Sequence, residues 1–357
     1  MTVRIIIGIL IFFLGACSHP NQEKIDRDFI KLSLKEIQRI PVNHDPKSFM
    51  FGLYGKDLWI VSSDHNIFKR FFIQSDGTLS LSMEKELPAG KGPGEIYECG
   101  SFQIDSKGHL VIMENKQSKV LVFDENLNYL DTTYLNDLQG GLMSGYQSSA
   151  LFEDRYSIHA VVPVGEAAHE FFAFDYQEGR IVKTFGRKVA VDDTTSAHRA
   201  LDGLIPIMGV FSQCGKTLFR MTFEPMIYLY RDFKHMKTLD LNDLFSEYGY
   251  VFTPPVKGKI KSSPGYISDY YMNVNKSRKE PYLCFYDSAG NRLLLTVFDE
   301  SGNICKKYRI QGAHFTFYGE EGEKDILVYW YDNVLVFRKG KELLLYKIKS
   351  IFSFPPS

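Results

Sequence analysis

Apolar and polar positions alternate in short blocks along most of this chain. Runs of four to eight residues rich in Val, Ile, Leu and Phe are separated by tight polar turns, which predicts strands and hairpins rather than helices. Between Gly90 and Thr132 three such runs, His109–Glu114, Lys119–Asp124 and Leu127–Leu130, follow a Gly/Pro loop and a further candidate strand at Ser101–Asp105. Together they read as a four-stranded antiparallel meander. A lone meander of this size leaves both faces unburied, so copies of it must stack.

The copies are visible in the third strand and the turn after it. Phe71-Phe72-Ile73-Gln74-Ser75-Asp76-Gly77 is echoed by Leu121-Val122-Phe123-Asp124 and by Phe172-Ala173-Phe174-Asp175. Tyr228-Leu229-Tyr230, Thr296-Val297-Phe298-Asp299 and Leu335-Val336-Phe337 continue the series, at intervals of 50, 51, 56, 68 and 39 residues. Second strands fall at Leu58–Ser62, Leu110–Glu114, Tyr156–Val161, Leu218–Thr222, Tyr282–Tyr286 and Ile326–Trp330, the last preceded by a first strand at His314–Tyr318. A four-strand unit repeated six times at this period predicts an all-β, six-bladed β-propeller with four antiparallel strands per blade. Blades face one another through both surfaces, which accounts for continuous apolar runs where a half-exposed sheet would alternate. Phe29–Ile40 also reads as a strand, either closing the ring against the last blade or lying on an outer edge.

The 357 residues include 28 Gly and 14% aromatics, in keeping with strands and turns, and the net charge of -1 argues against a nucleic-acid partner or a polybasic membrane surface. The first residues stand apart. Arg4 precedes the apolar segment Ile5–Leu14, too short to span a bilayer, and small residues follow it, as in a secretory signal. Leu14-Gly15-Ala16-Cys17 resembles the lipobox of bacterial lipoproteins. That resemblance implies cleavage before Cys17 and acylation of its thiol and amine, a durable membrane anchor. Ser18 after the cysteine points by the same resemblance to the outer membrane. The expected division is a signal peptide at 1–16, a lipidated tether at 17–28, the propeller at 29–350 and a tail at 351–357. The remaining Cys99, Cys214, Cys284 and Cys305 form no CxxC pair and are expected to be buried free thiols.

Gly90-Lys91-Gly92-Pro93-Gly94-Glu95-Ile96, with Asp105-Ser106-Lys107-Gly108-His109-Leu110 and Val120–Asp124, resembles the Gly-x-Gly-Pro-Gly-Glu-aromatic pattern of TolB-like six-bladed propeller lipoproteins of Bacteroidetes. NHL-type blades carry a related pattern. Ile96 stands where that family has an aromatic. The resemblance implies fold and cellular location but no chemistry.

The residues themselves carry little catalytic signal. Gly90, Gly92, Pro93, Gly94 and Glu95 lack the P-loop spacing and lead into a strand, so they read as a tight crossover with Glu95 accepting backbone hydrogen bonds. Glu114 with Asn115, Asp64 with Asn66, Asp287 with Asn291 and Asp332 with Asn333 are the oxygen ligands a lactonase-type hydrolase or lyase would need, yet they are equally ordinary turn residues. None of the nine histidines forms HExxH or an i, i+4 pair, and Gly-x-Ser-x-Gly is absent. No metal or cofactor is expected. The two longest crossovers, Gly186–Pro206 and Asp240–Gly265, carry Arg187, His198, Arg199, Tyr248, Tyr250 and Phe252. Exposed aromatics beside arginine are the make-up of interface anchors, so these six are the expected contacts for a protein or glycan partner. Leu241–Tyr248 is expected to form a short helix over the channel. The whole favours a lipid-anchored binding or scaffold protein of the cell envelope over an enzyme.

Overall fold

The computed structural model describes residues 29–42, 49–62, 65–114, 116–117, 119–134, 149–152, 155–160, 169–188, 209–213, 217–221, 225–252, 266–267, 270–275, 278, 280–287, 292–311 and 325–352. The first strand among them is β1 (Ile30–Pro41). Blade one follows as β2 (Phe49–Tyr54), β3 (Asp57–Ser62), β4 (Ile67–Ile73) and β5 (Leu79–Glu86). Blade two is β6 (Cys99–Ile104), β7 (Leu110–Glu114), β8 (Lys119–Phe123) and β9 (Tyr129–Tyr134). Blade three is β10 (Ser149–Phe152), β11 (Tyr156–Ala160), β12 (His169–Asp175) and β13 (Arg180–Lys188). Blade four is β14 (Gly209–Gln213), β15 (Thr217–Met221), β16 (Met226–Arg231) and β17 (Lys234–Asp240). Helix α1 (Leu241–Glu247) and a short parallel pair, β18 (Val251–Phe252) with β19 (Tyr266–Ile267), lead to blade five. That blade is β20 (Tyr270–Asn275), β21 (Glu280–Asp287), β22 (Arg292–Phe298) and β23 (Ile304–Gln311), and β24 (Asp325–Tyr331), β25 (Val334–Lys339) and β26 (Glu342–Phe352) come last.

Each of blades one to four is a separate antiparallel sheet in sequence order. The strands β2, β6, β10, β14, β20 and β24 lie side by side in that order around the axis. β1 pairs antiparallel with β26, from Lys31 opposite Phe352 to Pro41 opposite Glu342, and so supplies the outermost strand of blade six. A three-residue parallel bridge, Ile30–Leu32 beside Tyr308–Ile310, also joins it to β23. The result is a six-bladed β-propeller whose ring is closed by its own N-terminal strand.

This closure corrects the reading of blade six. Ile326–Trp330 is its first strand rather than its second, and Leu335–Phe337 its second rather than its third. The expected first strand His314–Tyr318 lies outside the described residues. The interval of 39 residues between Phe298 and Phe337 was the sign of this offset, being too short for a full blade. One consequence follows from antiparallel alternation. The Asp332-Asn333 turn lies on the face of the first-to-second turns, opposite the crossovers.

Apolar layers weld the blades together. Between one and two, Trp59, Val61 and Phe68 meet Phe102, Leu110, Ile112, Leu121 and Phe123. Between six and one, Tyr329, Val334, Val336, Leu343 and Leu345 meet Leu58, Ile60, Phe71 and Ile73. β7 is buried along its whole length, so both its faces are apolar, whereas the outer strand β5 alternates little and is mostly exposed. The recurrent turns are held by aspartate: Asp299 Oδ1 accepts from the backbone N–H of Ser301 and Asn303, and Asp124 Oδ1 from those of Asn126 and Asn128. Gly302 takes the left-handed position of that turn at φ 75°, while in blade two Leu127 takes it at φ 58° because its side chain is buried in the blade one–two layer.

Cys99 and Cys284 are free and buried, as expected, but Cys305 is free and exposed, because it lies on the outer strand β23. Cys214 is outside the described residues.

Candidate functional site

The Gly90–Glu95 crossover is a self-contained structural plug. Glu95 Oε2 accepts from the Gly92 N–H at 2.7 Å, and a side chain at Gly90 would meet that carboxylate at 2.1 Å. Lys119, fully buried, donates to the Glu95 carbonyl at 2.8 Å, and Gln117 donates to the Gly90 carbonyl at 3.1 Å. Burial pulls the Lys119 ammonium below its usual pKa, against the opposing pull of Glu114 and Glu95. Pro93 is exposed and Gly94 buried, the latter at φ 73°.

The oxygen-ligand candidates are engaged in turns and seams. Glu114 accepts from the Lys116 and Gln117 backbone at 3.0 and 2.7 Å. Asn66, at φ 50°, donates to the Ile96 carbonyl across the blade one–two seam at 2.8 Å. Asp332 pairs with Arg278 at 3.4 Å. Asp64, Asn115 and Asn291, and the side chain of Asp287, are outside the described residues. Among the described residues no three His, Cys, Asp or Glu side chains gather into a set that could hold a metal ion.

Two of the six expected contact residues are corrected by the structure. Tyr248 and Tyr250 are 4% and 8% exposed, so neither is a surface anchor. α1 runs from its N-cap Asp240, whose carboxylate accepts from the Asn242 N–H, and buries Leu241, Leu244 and Phe245. That face, with Tyr248 and Tyr250, fills the wedge between blades four and five instead of covering the channel. The Tyr248 ring stacks on Phe285 at 5.5 Å and meets Phe29 at 4.8 Å, its hydroxyl bonding Thr296 at 3.2 Å. Phe252 contributes backbone to β18, and Arg187 lies in β13 next to Gly186; their side chains are outside the described residues, as are His198, Arg199 and Cys17.

What the structure does assemble beside Arg187 is an open groove of about 370 Å³ between blades three and four. β13 supplies Lys183, Thr184, Phe185 and Gly186; the β16–β17 hairpin supplies Tyr228, Tyr230, Phe233, His235 and Thr238. The hairpin turn is Asp232-Phe233, two residues with φ of 50° and 60°, a geometry that favours Asn-Gly and is strained for phenylalanine. Packing holds it there. The Phe233 ring lies 5.3 Å from Phe185 and 6.0 Å from Tyr156, whose other neighbour is the Arg155 guanidinium. Tyr230 meets Phe185 edge-on at 5.5 Å. His235 sits 5.7 and 6.2 Å from the Tyr230 and Tyr228 rings, and its Nε2 is 3.0 Å from the Thr238 hydroxyl. The floor is aromatic and the rim polar. In the sequence Tyr228 and Tyr230 stand out only as strand residues and His235 only as one of nine histidines outside any i, i+4 pair; the signal for the groove is a bulky Phe233 in a two-residue hairpin turn.

The fold thus defines a propeller class, with a groove between blades as the candidate site. The chain belongs to the 6-bladed beta-propeller family DUF5128, whose model matches residues 83–322. Two solved structures align over nearly the whole chain. A Bacteroides fragilis protein described as exported has 15% identity and a TM-score of 0.50, covering 91% of this chain and 96% of its own. A member of the DUF4221 family from Bacteroides vulgatus has 11% identity and the same TM-score, covering 90% and 99%. At these identities the likeness is one of fold. The virginiamycin B lyase of Staphylococcus aureus aligns more loosely, at TM-score 0.43 and 13% identity over 88% of this chain and 99% of its own. No curated protein matches the sequence.

Proposed function

We propose that this is an exported, lipid-anchored binding propeller of the cell envelope, anchored at Cys17, probing its surroundings through the blade three–four groove. The observation that carries the binding reading is that groove: an aromatic floor with a rim of Lys183, Thr184, His235 and Thr238, of a volume within the roughly 300–1,000 Å³ usual for small-ligand sites. Flat aromatic faces beside hydroxyl, imidazole and ammonium donors suit a hydroxylated ring, whose C–H face stacks while its hydroxyls hydrogen-bond. A glycan is therefore the ligand class. The apolar segment before Cys17 supports export, as does the description of the Bacteroides fragilis structure.

The test is calorimetry of the unlipidated full chain against an oligosaccharide panel, with Tyr228→Ala and His235→Ala. Both variants are expected to bind at least about tenfold more weakly with unchanged thermal midpoints; full affinity in both removes the groove from the reading. Cys17→Ala is expected to move the protein from the membrane to the soluble fraction, and continued membrane association rejects the anchor.

A further inference from the structure

A second cleft lies a third of the way round the ring, where blades five and six join on the face of the first-to-second turns. Leu32, Tyr308, Trp330 and Ile348 form its walls, with Arg278, Asn333 and Lys349 at the rim, around about 220 Å³. That is the space of about seven waters at roughly 30 Å³ each, room for a small anion and the first carbons attached to it. The floor is rigid: Trp330 is clamped edge-on by Tyr282 at 5.4 Å and Tyr308 at 5.5 Å, and its Nε1 donates to the Asp332 carbonyl at 2.9 Å.

The charge here departs from that of the chain as a whole. The net charge is -1, yet the two ionisable side chains that line this cleft, apart from Tyr308, are both cations, Arg278 and Lys349. Two acids lie near this rim. Glu280, close enough to act on Tyr308, has Lys306 as its partner at 3.9 Å. Asp332 faces Arg278 at 3.4 Å while 60% exposed, a pairing that water weakens and that leaves most of the guanidinium's donors to a ligand. Lys349 makes no ion pair among the described residues. Two cations over an aromatic and aliphatic floor match a phosphate attached to an apolar body.

We infer that the blade five–six cleft seats a phosphate-bearing amphiphile, the phosphate between Arg278 and Lys349 and its adjoining carbons on Trp330 and Ile348. Leu32, three positions into the chain's first described stretch, places the cleft at the root of the N-terminal segment. The twelve residues from Cys17 to Phe29 reach at most about 40 Å, so an anchor at Cys17 would keep the cleft within reach of lipid headgroups. The binding itself does not depend on that anchor or on the groove.

Trp330 is a built-in reporter, and Trp59, in blade one, gives a constant background. The full chain carrying Cys17→Ala is titrated with submicellar short-chain phosphatidylglycerol, its phosphatidylcholine counterpart and glycerol phosphate, following tryptophan fluorescence. The expected result is a saturable change with phosphatidylglycerol, about tenfold weaker in Arg278→Gln and in Lys349→Gln, and weaker again with the other two probes. Ile348→Asn, which keeps both cations, is expected to weaken phosphatidylglycerol but not glycerol phosphate. No saturable change, or affinity unchanged from the parent protein in both charge variants, overturns the site. Glycerol phosphate binding as tightly as phosphatidylglycerol overturns the amphiphile in favour of a soluble organic phosphate, and zwitterionic phosphatidylcholine binding as tightly overturns recognition of net negative charge by Arg278 and Lys349.

Discussion

At the seam between blades one and two, polar groups close on one another: Asn66 on the Ile96 carbonyl, Lys119 on the Glu95 carbonyl, Glu95 on the Gly92 amide. At the seam between blades three and four the outer strands β13 and β17 touch, yet the half-buried rings of Tyr228 and Phe233 reach solvent beside His235 and Thr238, over the buried Phe185 and Tyr230. Both seams use the same repeat. The difference is that the first has a glycine-rich crossover folded back into the joint, whereas the second has a strained hairpin turn that lays Phe233 half-buried across Phe185 and Tyr156. Where the backbone's donors and acceptors are consumed locally, a seam is structure; where side-chain faces remain uncovered, it is free to recognise something.

The contrast is broken most severely at the closed seam. Lys119→Met keeps the volume but removes the buried cation opposite Glu114, and is expected to cost about 3 kcal/mol or more, read as a fall in denaturation midpoint. A shift of only a few tenths would mean that the network seals nothing. Tyr248→Ala should cost a similar amount, about 3–5 kcal/mol, since the ring is core to the blade four–five wedge. A soluble, fully stable variant would restore Tyr248 to the surface.

Gln38→Ala tests the ring closure. Its amide donates to the Leu79 carbonyl at 2.8 Å and accepts from the Leu79 N–H at 2.6 Å, tying β1 to β5 of blade one as one more strand pair would. Loss of both bonds is expected to cost about 1–2 kcal/mol and to speed hydrogen exchange at Leu79. At the open seam, Phe233→Gly should change stability by less than about 1 kcal/mol, because relief of the left-handed strain offsets the lost ring, while weakening glycan binding. A large destabilisation would make Phe233 a core residue instead.

The smallest effect is electrostatic. The Asn303 N–H, bonded to the Asp299 carboxylate, is the main reason that its pKa lies below the usual 3.8. The stabilisation is therefore complete above pH 3.8 and lost as the pH falls through the lower folded-state value. The midpoint difference between the protein and Asp299→Asn should follow that window; a difference persisting in stronger acid would point to geometry rather than charge.

Most of the fold was legible because a buried meander leaves a double record, apolar on both faces and punctuated by aspartate and glycine. The role of Glu95 was legible too, since a glycine-rich loop running into a strand has little else to do with a carboxylate. Blade six was misframed because its fourth strand is drawn from the other end of the chain, and local periodicity cannot register a partner some 300 residues away, such as Glu342 for Arg39. Tyr248 was misplaced although Leu241, Leu244, Phe245 and Tyr248 stand at helical spacing on one face, a pattern that marks burial. The groove escaped notice because its walls come from two blades, and no contiguous motif spans them.

Closing the ring with β1 also sets an order of events. Until Glu342–Phe352 has been made, Ile30–Pro41 has no antiparallel neighbour, so the longest pairing among the described residues is the last that can form. A chain built this way stays open for most of its synthesis, and its slowest folding phase should be the one that substitutions in β1 retard.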